Sequence, residues 1–172
     1  MSCMSERQAM RLGVRPFAAV DEQAVIDVIV PIQSAEFGIA ITADDQPDLR
    51  KIPDFYQSGK GGFWVATAGD NIVGTLGLKD IGNGNAALRK MFVAADYRGR
   101  EHGAALRLLE ALFAHASAAG IRAVYLGTTE KFLAAHRLYE KNGFVEISRD
   151  DLPAAFPLMA IDSKFYVRRI AG

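Results

Sequence analysis

The residues with the clearest chemical potential lie between Leu88 and Phe144. A β-rich run, Leu88-Arg89-Lys90-Met91-Phe92-Val93, leads through Ala94-Ala95-Asp96-Tyr97 into Arg98-Gly99-Arg100-Glu101-His102-Gly103, and an apolar-periodic stretch starts directly after it. A tight glycine-containing loop at a helix N-terminus presents several unpaired N–H groups and the positive end of the helix dipole. Such a place suits a phosphate or pyrophosphate, and Arg98 and Arg100 add charge-assisted contacts. Taken alone, the same residues also describe a solvated turn capping a helix. Two other patterns carry less. The run Gly82-Asn83-Gly84-Asn85-Ala86-Ala87 matches a dinucleotide-binding string, but a strand follows it where a helix is required, so it reads as a β-turn. His102, His115 and His136 have neither metal-ligand spacing nor an accompanying Cys or carboxylate cluster, and no metal site is expected.

These residues need elements to position them. Residues 12–17 alternate as a first strand, and Ala24, Val25, Val28 and Ile29 recur at helical spacing within 22–30, with Asp21 placed to cap that helix. Residues 31–62 are mixed, with a helix-start pattern at Thr42 and Asp44 to Asp48 and a break at Gly59, Gly61 and Gly62. Residues 63–68 and 72–78 are β-rich runs joined by Ala68-Gly69-Asp70-Asn71, which has hairpin-turn chemistry, and a second turn leads into a third strand over 87–93. A helix over about 103–119 has Leu108, Leu109, Leu112, Phe113 and Ala116 on one face and stops at Gly120. A strand over 123–128, a helix over about 131–142 ended by Gly143, and strands at 144–148 and 165–170 complete the chain. The order β-α-α-β-β-β-α-β-α-β-β predicts an α/β fold: one mixed, mostly antiparallel sheet with helices on both faces. The apolar, proline-containing connection around Leu152-Pro153 and Phe156-Pro157-Leu158-Met159 reads as an ordered loop packed on something. Phe63 and Trp64 read as core.

With 172 residues the chain has room for one domain and one sizeable core. Its 20 Lys and Arg balance 20 Asp and Glu, so it lacks the broad cationic field that non-specific nucleic-acid binding needs. Cys3, the one cysteine, has no partner, which excludes an intramolecular disulfide framework and favours a reducing compartment. Residues 1–10 show no targeting pattern, and the apolar tract 104–119 is broken by Arg107, Glu110 and His115. No membrane association and a cytoplasmic location are therefore expected.

The segment from Tyr97 to Ala104 resembles the acyl-CoA loop of the GNAT superfamily of N-acyltransferases, [Arg/Gln]-x-x-Gly-x-[Gly/Ala]. The segment Ala135 to Phe144, AHRLYEKNGF, is similar to that family's second signature, Ala-x-x-Leu-Tyr-x-Lys-x-Gly-Phe. The two occur in the family's order and at its separation, over about half the chain. The resemblance implies a single GNAT-type domain over 1–172 with acetyl-CoA as cofactor and CoA as product. It implies that Met91, Phe92 and Val93 splay from their neighbour at a bulge and pair with the pantetheine arm. Backbone groups of Arg98, Gly99, Arg100, Glu101, His102, Gly103 and Ala104 would hold the pyrophosphate. Ala135 is small where the helix passes the pantetheine, Lys141 lies near the nucleotide end, and Tyr139 is the acid for the departing thiolate.

The sequence departs from the family pattern at three places. Glu101 stands where the loop's second glycine is expected; at φ > 0 a non-glycine residue costs roughly 1–2 kcal/mol. Phe132 lies where many relatives have an asparagine contacting the cofactor or a water. Ala87 occupies the place of a glutamate that often serves as base, which leaves Glu36, Asp80 and Glu130 as candidate proton acceptors. Glu36, Phe37 and Asp80 are the candidate acceptor-binding residues. The function the resemblance implies is acetyl transfer to the primary amine of a small molecule by direct attack on the thioester, with a backbone N–H near Phe92 or Val93 holding the oxyanion. Transfer to a protein N-terminus or lysine, and a non-catalytic acyl-CoA-binding module, remain open, as does a homodimer.

Overall fold

Two tight hairpins set the middle of the sheet. In the computed structural model, which describes residues 12–36, 38–99, 103–130 and 132–170, β2 (Gly62–Ala68) and β3 (Asn71–Gly82) pair up to Ala68↔Asn71 and turn through Gly69-Asp70. β3 and β4 (Asn85–Val93) meet at Gly82↔Asn85, and both residues of that turn, Asn83 at φ 56° and Gly84 at φ 77°, take the left-handed conformation a two-residue hairpin demands. The dinucleotide-like string is thus a hairpin, as its strand context predicts. β1 (Leu12–Pro16) pairs antiparallel with β2, and β5 (Ala123–Thr128) lies parallel to β4. β7 (Lys164–Arg169) pairs antiparallel with both β5 and β6 (Val145–Ile147), giving the sheet order β1-β2-β3-β4-β5-β7-β6.

Among the described residues, four α-helices cover the two faces. α1 (Glu22–Pro31) buries Val25, Ile26 and Ile29 against Phe63 and Val65, and the four-residue α2 (Ile52–Phe55) adds Ile52 to the same cluster, beside Tyr56. α3 (Ala104–Ala119) buries Leu108, Leu109, Leu112 and Ala116 on the opposite face, against Trp64, Ala66, Leu76, Leu88 and Val124. α4 (Leu133–Lys141) adds Tyr139 to that second cluster, followed by Phe144. Strand alternation divides β2 between the clusters, Phe63 and Val65 to one face and Trp64 and Ala66 to the other, so six of its seven residues are buried. The connection 149–163 is ordered and packs on the α1 face, where Phe156 closes on Ala87, Tyr125 and Val167.

One local expectation is corrected. Asp21 makes no side-chain cap to α1. Its carboxylate accepts from Arg15 at 2.7 and 2.9 Å and from the Ala18 N–H at 2.9 Å, because the chain turns once through Ala19–Asp21 before the helix starts. Pro31 ends α1 for want of an N–H, and the chain continues as a wider π-helical turn, Ile32–Glu36, that carries Gln33 inward.

Leu112 is fully buried between α3 and the sheet. Leu112→Ala is expected to lower unfolding free energy by about 2–5 kcal/mol, seen as a fall in urea midpoint at constant m-value.

Candidate active site at the β4–β5 divergence

β4 is irregular on both edges. Toward β5 it is paired only at Asn85↔Ala123, Ala86↔Val124 and Ala87↔Tyr125, and beyond Ala87 the strands part. Toward β3 its register slips, with Thr75 opposite Phe92 and Gly77 opposite Arg89, so Lys90 and Met91 together face Leu76. Such a bulge bends the strand and frees it from its neighbour. Its centre is Lys90, in the left-handed region at φ 56° without being glycine.

A buried polar network holds Lys90 there. Its carbonyl accepts from the Thr75 hydroxyl at 2.7 Å. Its ammonium donates to Gln46 Oε1 at 2.5 Å and lies 3.8 Å from Asp48. Asp48 accepts from the Tyr56 hydroxyl at 2.5 Å, and Gln33 and Gln46 exchange amide hydrogen bonds at 3.1 and 2.8 Å. The π turn, the segment before α2 and the bulge are thereby tied together. Burial outweighs the attraction of Asp48 and brings the Lys90 ammonium down to about 8, while burial pushes the Tyr56 phenol well above its ordinary value.

Past the bulge, the Ala94 N–H donates to Val73 at 2.8 Å. The alternation of an antiparallel pair then turns the Val93 N–H away from β3, toward the gap. The Val93 carbonyl accepts from Arg98 Nε at 2.7 Å, and the rest of that guanidinium forms a two-pronged ion pair with Glu36 at 2.6 and 2.9 Å. Glu36 and Arg98 are therefore brought together, and the ion pair, with Arg98's hydrogen bonds first, holds the Glu36 carboxyl below its ordinary range. The Arg98 side chain anchors the π turn to the end of β4 in place of the expected anion contact. Beyond it, Gly99 at φ 98° and Gly103 at φ 64° use conformations that side chains resist, and the Gly103 N–H closes the loop onto the Gly99 carbonyl at 3.2 Å. The first bond within α3 runs from Arg107 to Gly103 at 3.0 Å, so residues 104–106 have no acceptor inside the helix, and no side chain caps Gly103. Arg100, Glu101, His102 and Phe37, like Cys3, lie outside the described residues.

Across the sheet, Phe132 stands half-buried at the head of α4 and Ala135 packs against the core. The Tyr139 ring is buried between Phe144 at 5.4 Å and Tyr166 at 6.0 Å. Its hydroxyl has no hydrogen-bond partner among the described residues and is not sealed from solvent. Burial first, then Tyr166, raises its proton affinity well above that of an ordinary phenol. Lys141 is exposed in the last turn of α4.

Asp80 does not join this group. Its carboxylate clasps the Lys60 and Gly82 N–H groups at 3.0 and 2.9 Å, opposite Ala86 at the paired end of β4. Those two hydrogen bonds hold its carboxyl below the ordinary range. Glu130 is exposed just past β5. Sequence reading missed Lys90, Arg89 and Asp162, all on or near the α1 face of the opening. For the first two there was a signal, since adjacent cations interrupt an otherwise apolar strand. For Asp162, in an irregular connection, there was none.

The family model described as acetyltransferase (GNAT) family matches residues 27–144. The chain belongs to that family. A GNAT acetyltransferase from Staphylococcus aureus superposes with TM-score 0.88 at 38% identity, covering 93% of this chain and 99% of that one. N-acetylaspartate synthetase from Mus musculus is 35% identical over 108 residues, 60% of this chain and 35% of that protein, so the chain spans about a third of this relative's length. N-acetylglutamate synthase from Neisseria gonorrhoeae, solved with coenzyme A and N-acetyl-glutamate, shares the fold at TM-score 0.72 and 18% identity, over 94% of this chain and 35% of that one. In this GNAT chain the described residues of the first signature follow β4 and the second lies on α4 and the turn after it.

Lys90→Met removes one partner of a buried pair and is expected to cost about 3–5 kcal/mol by urea unfolding at pH 7. The folded value of about 8 lies below the ordinary 10.5, so the unfolded chain binds that proton more strongly between the two. The charge penalty is complete below pH 8 and is relieved as pH rises toward 10.5. The stability gap between wild type and Lys90→Met should therefore widen across that window.

Proposed function

We propose that this GNAT chain is an acetyl-CoA-dependent N-acetyltransferase acting on the primary amine of a small molecule. The observation that carries the reading is the parting of β4 from β5 directly before a glycine-bounded, uncapped N-terminus of α3. A free strand edge leading to free N–H groups fits an amide-containing arm that ends in a pyrophosphate. Bound there, acetyl-CoA supplies an acyl group activated as a thioester.

The chain's own residues do the positioning. The edge from Met91 through Phe92 to Val93 pairs with the pantetheine amides, and the loop from Arg98 through Ala104 holds the pyrophosphate, with the Ala104 N–H free of any acceptor inside α3 while the Arg98 and Gly103 N–H groups are engaged by Ala95 and Gly99. Ala135 leaves room for the arm, with Phe132 and Lys141 along its course. The Val93 N–H, turned toward the gap, meets the charge that builds on the thioester oxygen. Tyr139 stays protonated because it is buried, and it delivers its proton to the departing sulfur.

Two features favour a small acceptor carrying a carboxylate. The 149–163 connection packs on the α1 face, with Phe156 buried on Ala87 and Tyr125, which favours a small acceptor over a protein segment. On the same face Arg89 has no carboxylate within ion-pair range among the described residues; its Nη2 reaches only Met159 Sδ at 3.7 Å. That guanidinium suits an amino-acid acceptor, in keeping with the name of the N-acetylaspartate synthetase relative.

Calorimetric titration of CoA-stripped protein with acetyl-CoA, with dephospho-CoA as control, should give saturable micromolar binding. Thiol release with a panel of amines, with and without carboxylates, should follow; absence of binding removes the proposal. Tyr139→Phe should lower kcat about 10²-fold at unchanged acetyl-CoA affinity. An unchanged kcat where chemistry limits the rate would take Tyr139 out of the mechanism.

A further inference from the structure

An alkyl ammonium titrates near pH ~10, so an acceptor at neutral pH must lose a proton before its nitrogen can attack. Of the three carboxylates expected for this task, Glu36 is ion-paired with Arg98, Asp80 clasps a turn at the paired end of β4, and Glu130 is exposed past β5. A fourth carboxylate stands at the opening. In β5, Ala123 and Tyr125 lie on the face that carries the 149–163 connection, and the next position in that row is Gly127. The Asp162 carboxylate fills the space a side chain would take there: a Cβ on Gly127 would come within 2.7 Å of Asp162 Oδ2 and 2.8 Å of its Cγ. Ala87 and Tyr125 are the last paired residues of β4 and β5. One step further along the same face, Arg89 on β4 and Asp162 over β5 flank the gap as the strands part.

Asp162 is held in this position by its own turn. Its Oδ2 accepts from the Met159 N–H at 3.0 Å, its own N–H donates to the Met159 carbonyl at 3.0 Å, and the Ser163 N–H donates to Thr128 at 2.9 Å. Oδ1 has no hydrogen bond among the described residues and is not sealed from solvent. We infer that Asp162 is the proton acceptor for the incoming amine. The inference rests on the acetyltransferase reading above. An N–H bond of the acceptor ammonium breaks, an O–H bond forms at Oδ1, and the electron pair stays on nitrogen. That nitrogen then forms the C–N bond as the thioester C–S bond breaks. The second proton it sheds balances the one taken up by the departing thiolate, so one proton per turnover leaves through Asp162.

The surroundings suit a base. Burial raises the proton affinity of Asp162 above that of an ordinary carboxylate, opposed by the Met159 N–H and by Arg89. Arg89 is the charged group facing it from β4. On β5, Tyr125 lies two residues back on the same face, and on β7 the Lys164 ammonium is directed to Glu146 at 3.7 Å.

The test compares the full wild-type chain with Asp162→Asn and Gly127→Ala across pH. Thiol release from acetyl-CoA is followed with an alkyl amine (L-aspartate, or whichever amine of the panel the wild type uses) and with hydroxylamine, which is neutral at pH 7. Asp162→Asn should lower kcat with the alkyl amine about 10²-fold at pH 7 while acetyl-CoA affinity holds. The loss should narrow toward high pH, where the amine is itself neutral, and should be small with hydroxylamine. Gly127→Ala, which displaces the carboxylate, should reproduce the pattern with the aspartate intact. No loss, or an equal loss with both amines at every pH, overturns the assignment and leaves the acetyltransferase reading standing. A wild type that binds no acetyl-CoA overturns both.

Discussion

The left-handed backbone at Lys90 is the constraint on which the rest of the site depends. A regular β4 would stay paired with β5 along its whole length, and no strand edge would be left free inside the sheet. The bulge prevents that, at the cost of placing a non-glycine residue where L side chains are disfavoured. What compensates is the set of hydrogen bonds gathered around the lysine. Thr75 takes the carbonyl, Gln46 and Asp48 take the ammonium, and Tyr56 and Gln33 satisfy those two in turn. A buried lysine is an expensive clamp, and its lowered proton affinity records that expense. Because Gln46 and Asp48 come from the segment before α2, and Gln33 of the π turn bonds Gln46, the same clamp ties both segments to the bulge.

A second tie works in parallel. Arg98 follows the strand that carries the bulge, and its guanidinium joins Glu36 at the end of the π turn to the Val93 carbonyl. That turn exists because Pro31 cannot donate a helical hydrogen bond and the following residues widen instead. The end of β4 and the π turn after α1 are thus connected through one ion pair that is partly open to water. The Arg98 guanidinium is taken up by this pair, and in the proposed reading it is the backbone N–H groups at the start of α3 that meet the anion.

The chemistry proposed here divides along the sheet. The face carrying α3 and α4 supplies Tyr139, whose burial keeps a proton available to a leaving group. The face carrying α1, α2 and the 149–163 connection supplies Arg89 and Asp162, whose positions suit an acceptor with a carboxylate and an ammonium. An acid on one side of the parted strands and a base on the other is the arrangement that an amine-to-thioester transfer requires.

Local chemistry made most of the architecture legible. The Ala68-Gly69-Asp70-Asn71 and Gly82-Asn83-Gly84-Asn85 turns, the apolar face of α3 and its stop at Gly120 are each decided within a few residues, because hairpin geometry and helical periodicity are short-range properties. The same holds for the two signatures around Arg98 and Tyr139, which named the family before any contact was known. What local chemistry could not decide was which charged side chains meet. Glu36 finds Arg98 across 62 residues, Lys90 finds Gln46 across 44, and Asp162 reaches Gly127 from an irregular connection. Those encounters depend on how the helices and the long connection lie on the sheet. Asp80 resembled an acceptor-site carboxylate in the sequence because spacing along a strand says nothing about which end of it is open. The sequence by itself determined the hairpins, the long helix α3 and the family. Only the tertiary structure decided which carboxylates are already engaged and which one stands beside the gap, because that follows from contacts between segments far apart in the chain.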